Sequence, residues 1–384
     1  MEEPDREVIM KNEIQATGSK KGYMEEASQK RGWTVAGLRF TAVLSLLVLL
    51  VPGLAMAEAG DGRLEIRATV PELGMLAKEV GGNRVNVESF ARGTEDPHFI
   101  DARPNFIRSL NQADVFIQIG MEMEIGWVPV LLKQARNPKL NPGSPNFIDA
   151  SSVITPRNRP TTDVDRSMGD VHPQGSPHYL TDPSAGLLVA RLIRDRLKRI
   201  DPAYAAYYEA RYNQFERQLS TKLFGPALTE KYSGKLDRLA LLLHRSGYDG
   251  FLAFLKKNGL ESSLGGWLKQ VQSLQNRNYV GDHQATWSYM AHVFGLTFVG
   301  YMEPVAGVEP TTNHLTALAS RMQSTSAMYI LSAAYYNPRY ASFLAEKTGA
   351  KILPMANQGE ARPGTDNYLD FIGYNVSVLL GGTR

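Results

Sequence analysis

Seven histidines carry most of the chemistry available to this chain, because its 384 residues include no cysteine. Thiol catalysis, zinc–thiolate sites, disulfides and an acylated cysteine are excluded with it. His98 stands in Glu95-Asp96-Pro97-His98, after a strand-like run and ahead of Arg103-Pro104-Asn105. Open α/β sheets hold their ligands on such loops, at the carboxyl ends of the strands. His172 and His178 lie in GDVHPQGSPHYLTDP, where Pro173, Gly175 and Pro177 stiffen the loop. A stiff loop loses little entropy on closing round a metal. Six positions is no helical chelate spacing, so one member of the pair is taken as a candidate ligand and the other as a surface residue. His283 follows Tyr279-Val280 and precedes a helical run from Trp287, mirroring His98 in the second half of the chain. Taken singly, each of these is more readily a surface histidine; their matched placement singles them out. His244, His292 and His314 read as packing or surface residues.

Other chemistries lack parts. There is no H-E-x-x-H, no G-x-S-x-G and no G-x-x-x-x-G-K-[ST]. Glu122 and Glu124, on an apparent helical approach to Trp127, read as a solvated face. Tyr204, Tyr207, Tyr208 and Tyr212 form a helical packing stripe. A net charge of +3 offers no broad basic face for nucleic acid.

The elements that must position these residues follow from periodicity. With 43% hydrophobic and 21% charged residues, the chain is globular and long enough for two lobes. Phe40–Leu50 is an apolar run too short for a membrane span, preceded by Lys30, Arg31 and Arg39 and followed by Ala55-Met56-Ala57. That pattern is a secretory signal over 1–57 with cleavage before Glu58, its start placed at Met1 or Met24. Strand-like runs at 63–70, 85–90, 115–119 and 146–150 alternate with helical ones. The rhythm returns at 279–280, 296–299, 327–331 and 352–354. Alternation of this kind predicts parallel sheets with helices on both faces. The expected domains are an N-terminal α/β lobe over 58–200, a linking helix plus helical insertion over 201–276, and a C-terminal α/β lobe over 277–384. Ser184–Ile200 and Ala203–Leu223 have the spacing of a stiff helical spine, and the insertion at 224–267 suggests no chemistry.

Four ordered motifs then point to a family: EDPHFIDARPNFIRSLNQADVFIQIGMEMEIGW, GSPHYLTDPSAG, GYMEPVAGVEPTTNHL and YYNPRYASFLAEKTGAKILP. Through them the chain resembles the zinc- and manganese-binding periplasmic proteins of high-affinity metal ABC importers, in their zinc-type branch. The resemblance implies two similar parallel-sheet α/β lobes joined by a long rigid helix, with a metal site in the interlobe cleft. It implies His98 as the ligand of the D-P-H segment. It implies His178 as that of N-P-H-Y-x-x-D-P, with Ser176 in place of the usual Asn. His283 is the best match to the ligand of Y-H-x-x-W-x-Y, although Asp282 stands where Tyr is usual and Trp287 comes four residues on instead of three. The family's fourth ligand is often an Asp after the strand at 352–354. Here that loop reads MANQGEARPGTD, which leaves Glu360, Asp366 or a water as candidates.

Three imidazoles and an open position suit Zn(II), whereas Mn(II) prefers more oxygen. The implied function is capture, not catalysis. A monomer in the periplasm would take up Zn(II) and deliver it to the membrane permease of a metal ABC importer, without nucleic acid. Metal affinity is expected to fall as pH drops through about 6.5, where free imidazoles gain protons. The alternatives are a manganese- or iron-binding homologue, an adhesin of the same fold, or a zinc-dependent hydrolase with Glu360 as base.

Overall fold

In the computed structural model, residues 62–161, 171–305 and 307–381 are described; the expected signal segment 1–57, both candidate starts and part of the polar loop 155–170 lie outside them. β1 (Leu64–Ala68) forms where the consecutive residues Ile66, Arg67 and Ala68 are all buried, the mark of a strand covered on both faces. Pro71 opens α1 (Pro71–Gly81), where its missing N–H is no loss, and Gly82 ends it. β2 (Val85–Ser89), α2 (Pro104–Gln112), β3 (Val115–Gln118), α3 (Val128–Ala135) and β4 (Phe147–Asp149) follow. The four strands pair in parallel in the order β2-β1-β3-β4, with Ile66 opposite Val87 and Val115.

The chain then runs through helices. α4 (Pro183–Ile200) and α5 (Ala205–Phe224) are parted at Asp201-Pro202, because proline has no N–H to continue α4. α6 (Pro226–Lys231), α7 (Leu236–Lys257) and α8 (Gly266–Gln270) complete this layer, and α7 is kinked at Gly247. The second sheet comes from β5 (Asn278–Gly281), α9 (Gln284–Phe294), β6 (Thr297–Tyr301), α10 (Thr312–Ser324), β7 (Tyr329–Ser332), α11 (Pro338–Thr348), β8 (Lys351–Pro354) and α12 (Tyr368–Leu379). Its order, β6-β5-β7-β8, again all parallel, repeats the first. Two parallel-sheet α/β lobes result. Parallel strands demand crossovers, and the repeated order sends the carboxyl-end loops of β1–β4 and of β5–β8 into positions equivalent within each lobe.

One apolar core runs from Ile66 through the helical layer to Leu379, and a smaller one fills the space between the second sheet and α10 and α11. Across the seam between the lobes, Gln358 Nε2 in the β8–α12 loop donates to the Glu95 carbonyl at 2.8 Å and to that of Gly93 at 3.4 Å. The Gly359 N–H faces the buried Glu72 carboxyl, which burial pushes up to about 8. Tyr368 Oη donates towards the carbonyls of Leu180 and Asp182, at 2.9 and 3.2 Å.

The lobes approach closely at Gly93, where a Cβ would lie 2.1 Å from the Gly359 carbonyl oxygen and 2.4 Å from the Ala361 nitrogen. Both contacts are backbone, so neither yields by a rotamer change. Gly93→Ala is therefore expected to cost about 1–3 kcal/mol, as overpacking of a rigid contact does. Thermal unfolding reads this as a lowered Tm; an unchanged Tm would mean that the seam gives way freely.

Candidate metal centre

Every side chain of interest lies on a segment that leaves a strand's carboxyl end. His98 follows β2, His172 and His178 follow β4, His283 follows β5, Glu303 follows β6 and Tyr335 follows β7. They line one cavity of about 160 Å³ together with Asp96, Tyr336 and Asn337. First-lobe residues form one wall and second-lobe residues the other.

His98 is held from behind. Asp96 Oδ1 lies 2.6 Å from its Nδ1 and also accepts its backbone N–H at 3.0 Å. Trp127 Nε1 pins the same loop by donating to the Pro97 carbonyl at 2.9 Å. The carboxylate accepts a hydrogen bond from Nδ1–H and leaves Nε2 with its lone pair facing the cavity, the arrangement that orients metal-binding imidazoles generally. There Nε2 meets Nε2 of His172 at 3.1 Å. Two nitrogens bound to one zinc at about 2.0–2.1 Å stand about 3.3 Å apart, so this pair already has the spacing of two ligands. The His98 ring centroid is 5.2 Å from that of His172 and 5.3 Å from that of His178.

His172 is braced through a turn. Its ring faces the carbonyl of Met121, which with Glu122 adopts a left-handed conformation. That turn is tied by Glu124, whose carboxylate accepts N–H bonds from Ile119 at 2.7 Å and Gly120 at 3.1 Å, and the Thr69 hydroxyl at 2.6 Å. Glu124 is only 3% exposed and burial lifts its pKa to about 7. The solvated face expected of Glu122 and Glu124 is thus corrected for Glu124, because its carboxylate is consumed by the turn.

His283 caps α9, its Nδ1 accepting the Ala285 N–H at 3.2 Å. That bond puts the proton of the neutral ring on Nε2, so offering Nε2 to an ion means giving up the cap. The Asp282 that replaces the usual Tyr is buried, and its Oδ2 accepts the Ala333 N–H at 2.7 Å. It braces β5 to the loop after β7, and burial pushes it up to about 8. Among the described residues, no three His, Asp or Glu groups are drawn tightly enough together to form a finished metal shell, so closure on one ion needs ring rotation.

Burial, and secondarily the neighbouring His98, push the imidazoles of His172 and His283 down to about 4. The same causes push His178 well down. The rings remain neutral in the folded protein and offer lone pairs to a cation.

The structure therefore brings together His98, His178 and His283. It adds His172, the member of the loop pair that the resemblance leaves without a role, and Glu303, which no sequence motif singles out. Position alone could have flagged Glu303, since GYMEP leaves β6 where DPH leaves β2. Glu360 and Asp366 are both exposed and do not line the cavity. Their loop is committed to the seam through Gln358, so the expectation of a ligand from it is corrected. His314 is a packing residue, its ring bonded to the Tyr301 carbonyl at 2.9 Å.

A family profile described as "Zinc-uptake complex component A periplasmic" (ZnuA) matches residues 66–224 and 260–382. The zinc-binding lipoprotein AdcA of Streptococcus pneumoniae strain R6 is 21% identical over 343 residues, covering 87% of this chain and 59% of that protein. The manganese ABC transporter substrate-binding lipoprotein PsaA of Streptococcus mitis is 23% identical over 185 residues, covering 48% of this chain and 57% of that protein. The chain thus spans less than two thirds of the length of these curated relatives. A crystal structure of ZnuA superposes with a TM-score of 0.57 at 17% identity, covering 83% of this chain and 97% of that one. With both strand orders, the cleft histidines and a family match over most of its length, the chain belongs to the ZnuA family of periplasmic metal-uptake components.

Proposed function

We propose that this protein captures one Zn(II) in the interlobe cavity and hands it to the membrane permease of a metal ABC importer. The observation that carries the reading is the set of four imidazoles, from both lobes, around a single small cavity. The proposed ligands are His98, His172, His178 and His283. Four nitrogens favour Zn(II) over Mn(II), which wants more oxygen donors. Of the two carboxylates lining the cavity, Asp96 is engaged with His98. Glu303 is the group through which a manganese-binding reading would act. Capture fits better than hydrolysis, since Glu360, the proposed base, is exposed and outside the cavity. The proposed location is the periplasm. The thioether anchor of relatives named lipoproteins has no attachment point within these 384 residues, which lack cysteine.

Competitive titration with a zinc chelator tests the ligand set. His98→Ala, His172→Ala, His178→Ala and His283→Ala are each expected to weaken zinc binding by about 100-fold or more, with Mn(II) failing to compete at equal concentration. If His172→Ala binds as wild type does, the four-imidazole set is wrong. Asp96→Asn keeps the ligands but disturbs the His98 tautomer, and a loss of about 10- to 100-fold is expected from it.

Burial also moves the proton competition expected near 6.5. For His172 and His283 the folded pKa lies below the unfolded value, so the unfolded chain binds more protons between 6.5 and about 4. These two residues therefore reduce stability as pH falls through that window, and protons displace the ion from them only as pH nears 4. Imidazole NMR of the metal-free protein is expected to show both rings titrating near 4; inflections near 6.5 would contradict it.

A further inference from the structure

We infer that His244, on α7, is a positioning residue for the metal centre: its one imidazole ties together the two limbs of the loop that presents His172 and His178. The functional part of this inference rests on the capture reading above. His244 lies within residues 225–259, which the family profile leaves unmatched.

The Thr155 N–H, at the start of the outgoing limb, donates to His244 Nε2 at 3.0 Å. Asp182 Oδ2, at the end of the returning limb, lies 2.7 Å from His244 Nδ1, and both side chains are fully buried. Because Nε2 accepts, the single proton of the neutral ring is on Nδ1, donated to Asp182. The other Asp182 oxygen caps α4 by accepting the Ser184 N–H at 2.7 Å and the Ser184 hydroxyl. One ring therefore fixes where the loop leaves the first sheet and where it enters α4.

From this clasp the constraint passes to the ligands through short bonds. Tyr289 of α9 lies parallel to the His244 ring, 6.0 Å between centroids and 6° between planes. Its hydroxyl donates to the Thr155 carbonyl at 3.2 Å and accepts the Arg157 N–H at 3.1 Å. The Arg157 carbonyl accepts the Ser176 N–H at 2.8 Å, joining the limbs. Gly175 makes this approach feasible, since at φ 108° a Cβ would sit 2.6 Å from the Arg157 oxygen. The Ser176 hydroxyl accepts the His178 N–H at 3.3 Å and donates to the Ala285 carbonyl at 2.8 Å, two residues from His283.

Packing alone does not account for a histidine here. An apolar side chain of similar size would fill the same space without the desolvation cost of two ring nitrogens. Both nitrogens are used instead, one as donor and one as acceptor, on partners from the two limbs.

The test uses the full chain with His244→Leu and His244→Gln. Glutamine carries one donor and one acceptor at roughly the separation of the two ring nitrogens. In the metal-free protein, His244→Leu is expected to speed hydrogen exchange at the Ser176 and His178 amides by about tenfold or more. It should also release bound zinc about tenfold faster in a chelator chase. His244→Gln should stay within about threefold of wild type in both. Should the leucine variant fail to give a cooperative melt, His244→Asn, which reaches only one partner, takes its place with the same expectation. Unchanged exchange in the leucine or asparagine variant would overturn the clasp, as would a glutamine variant no better than leucine. Faster exchange with unchanged zinc release would overturn the positioning role. A wild type that holds no zinc would defeat the capture reading, while the exchange comparison still decides the clasp.

Discussion

Gathering imidazoles in a buried cavity is tolerable only while they are uncharged. His98, His172, His178 and His283 crowd one another without an added cation, and each proton gained would bring a charge into a desolvated space beside other rings. Burial and mutual repulsion answer this by driving His172, His178 and His283 towards the neutral form. The same constraint makes the cavity an acceptor of external positive charge: it holds several lone pairs and excludes protons as competitors. In the proposed capture, selectivity for a metal over a proton has its origin in desolvation, with the identity of the donor atoms choosing among metals.

The remainder of the structure can be understood as what keeps these rings aimed. Three of the four have a polar group beside them: Asp96 for His98, the Met121 carbonyl for His172, and the capped Ala285 N–H for His283. The supports themselves are supported, Met121 by the turn that Glu124 ties. On the opposite side of the seam, the β8–α12 loop donates Gln358 to the first lobe. That commitment explains why neither Glu360 nor Asp366 lines the cavity. A loop whose Gln358 and Gly359 are packed against the other lobe has lost the freedom to reach into the cleft.

Much of the fold was legible because it follows from local pattern. The alternating runs ending at β4 and restarting at β5 announce parallel sheets, and Pro71, Pro183 and Pro338 mark helix starts. His98, His178 and His283 stood out for their motif and place. His172 did not, because its place depends on the Met121 turn, some fifty positions away, where Met121 and Glu122 continue the left-handed conformation of Gly120 without being glycine themselves. Glu124 was misjudged for a related reason. Period analysis sees a polar residue, whereas its environment is made by the backbone N–H groups of Ile119 and Gly120, which no pattern displays. His244 belongs to the same class: its two partners, Thr155 and Asp182, are 89 and 62 positions distant. Contacts of that range are set by tertiary structure and leave no periodic trace.

The central claim, that imidazoles from both lobes converge on one ion, is tested most directly by zinc-edge X-ray absorption of the protein loaded with one equivalent of Zn(II). The account predicts a shell of about four nitrogen or oxygen neighbours at about 2.0–2.1 Å, with the outer-shell scattering of at least three imidazoles. An oxygen-dominated shell, or scattering from fewer than three imidazoles, would contradict it.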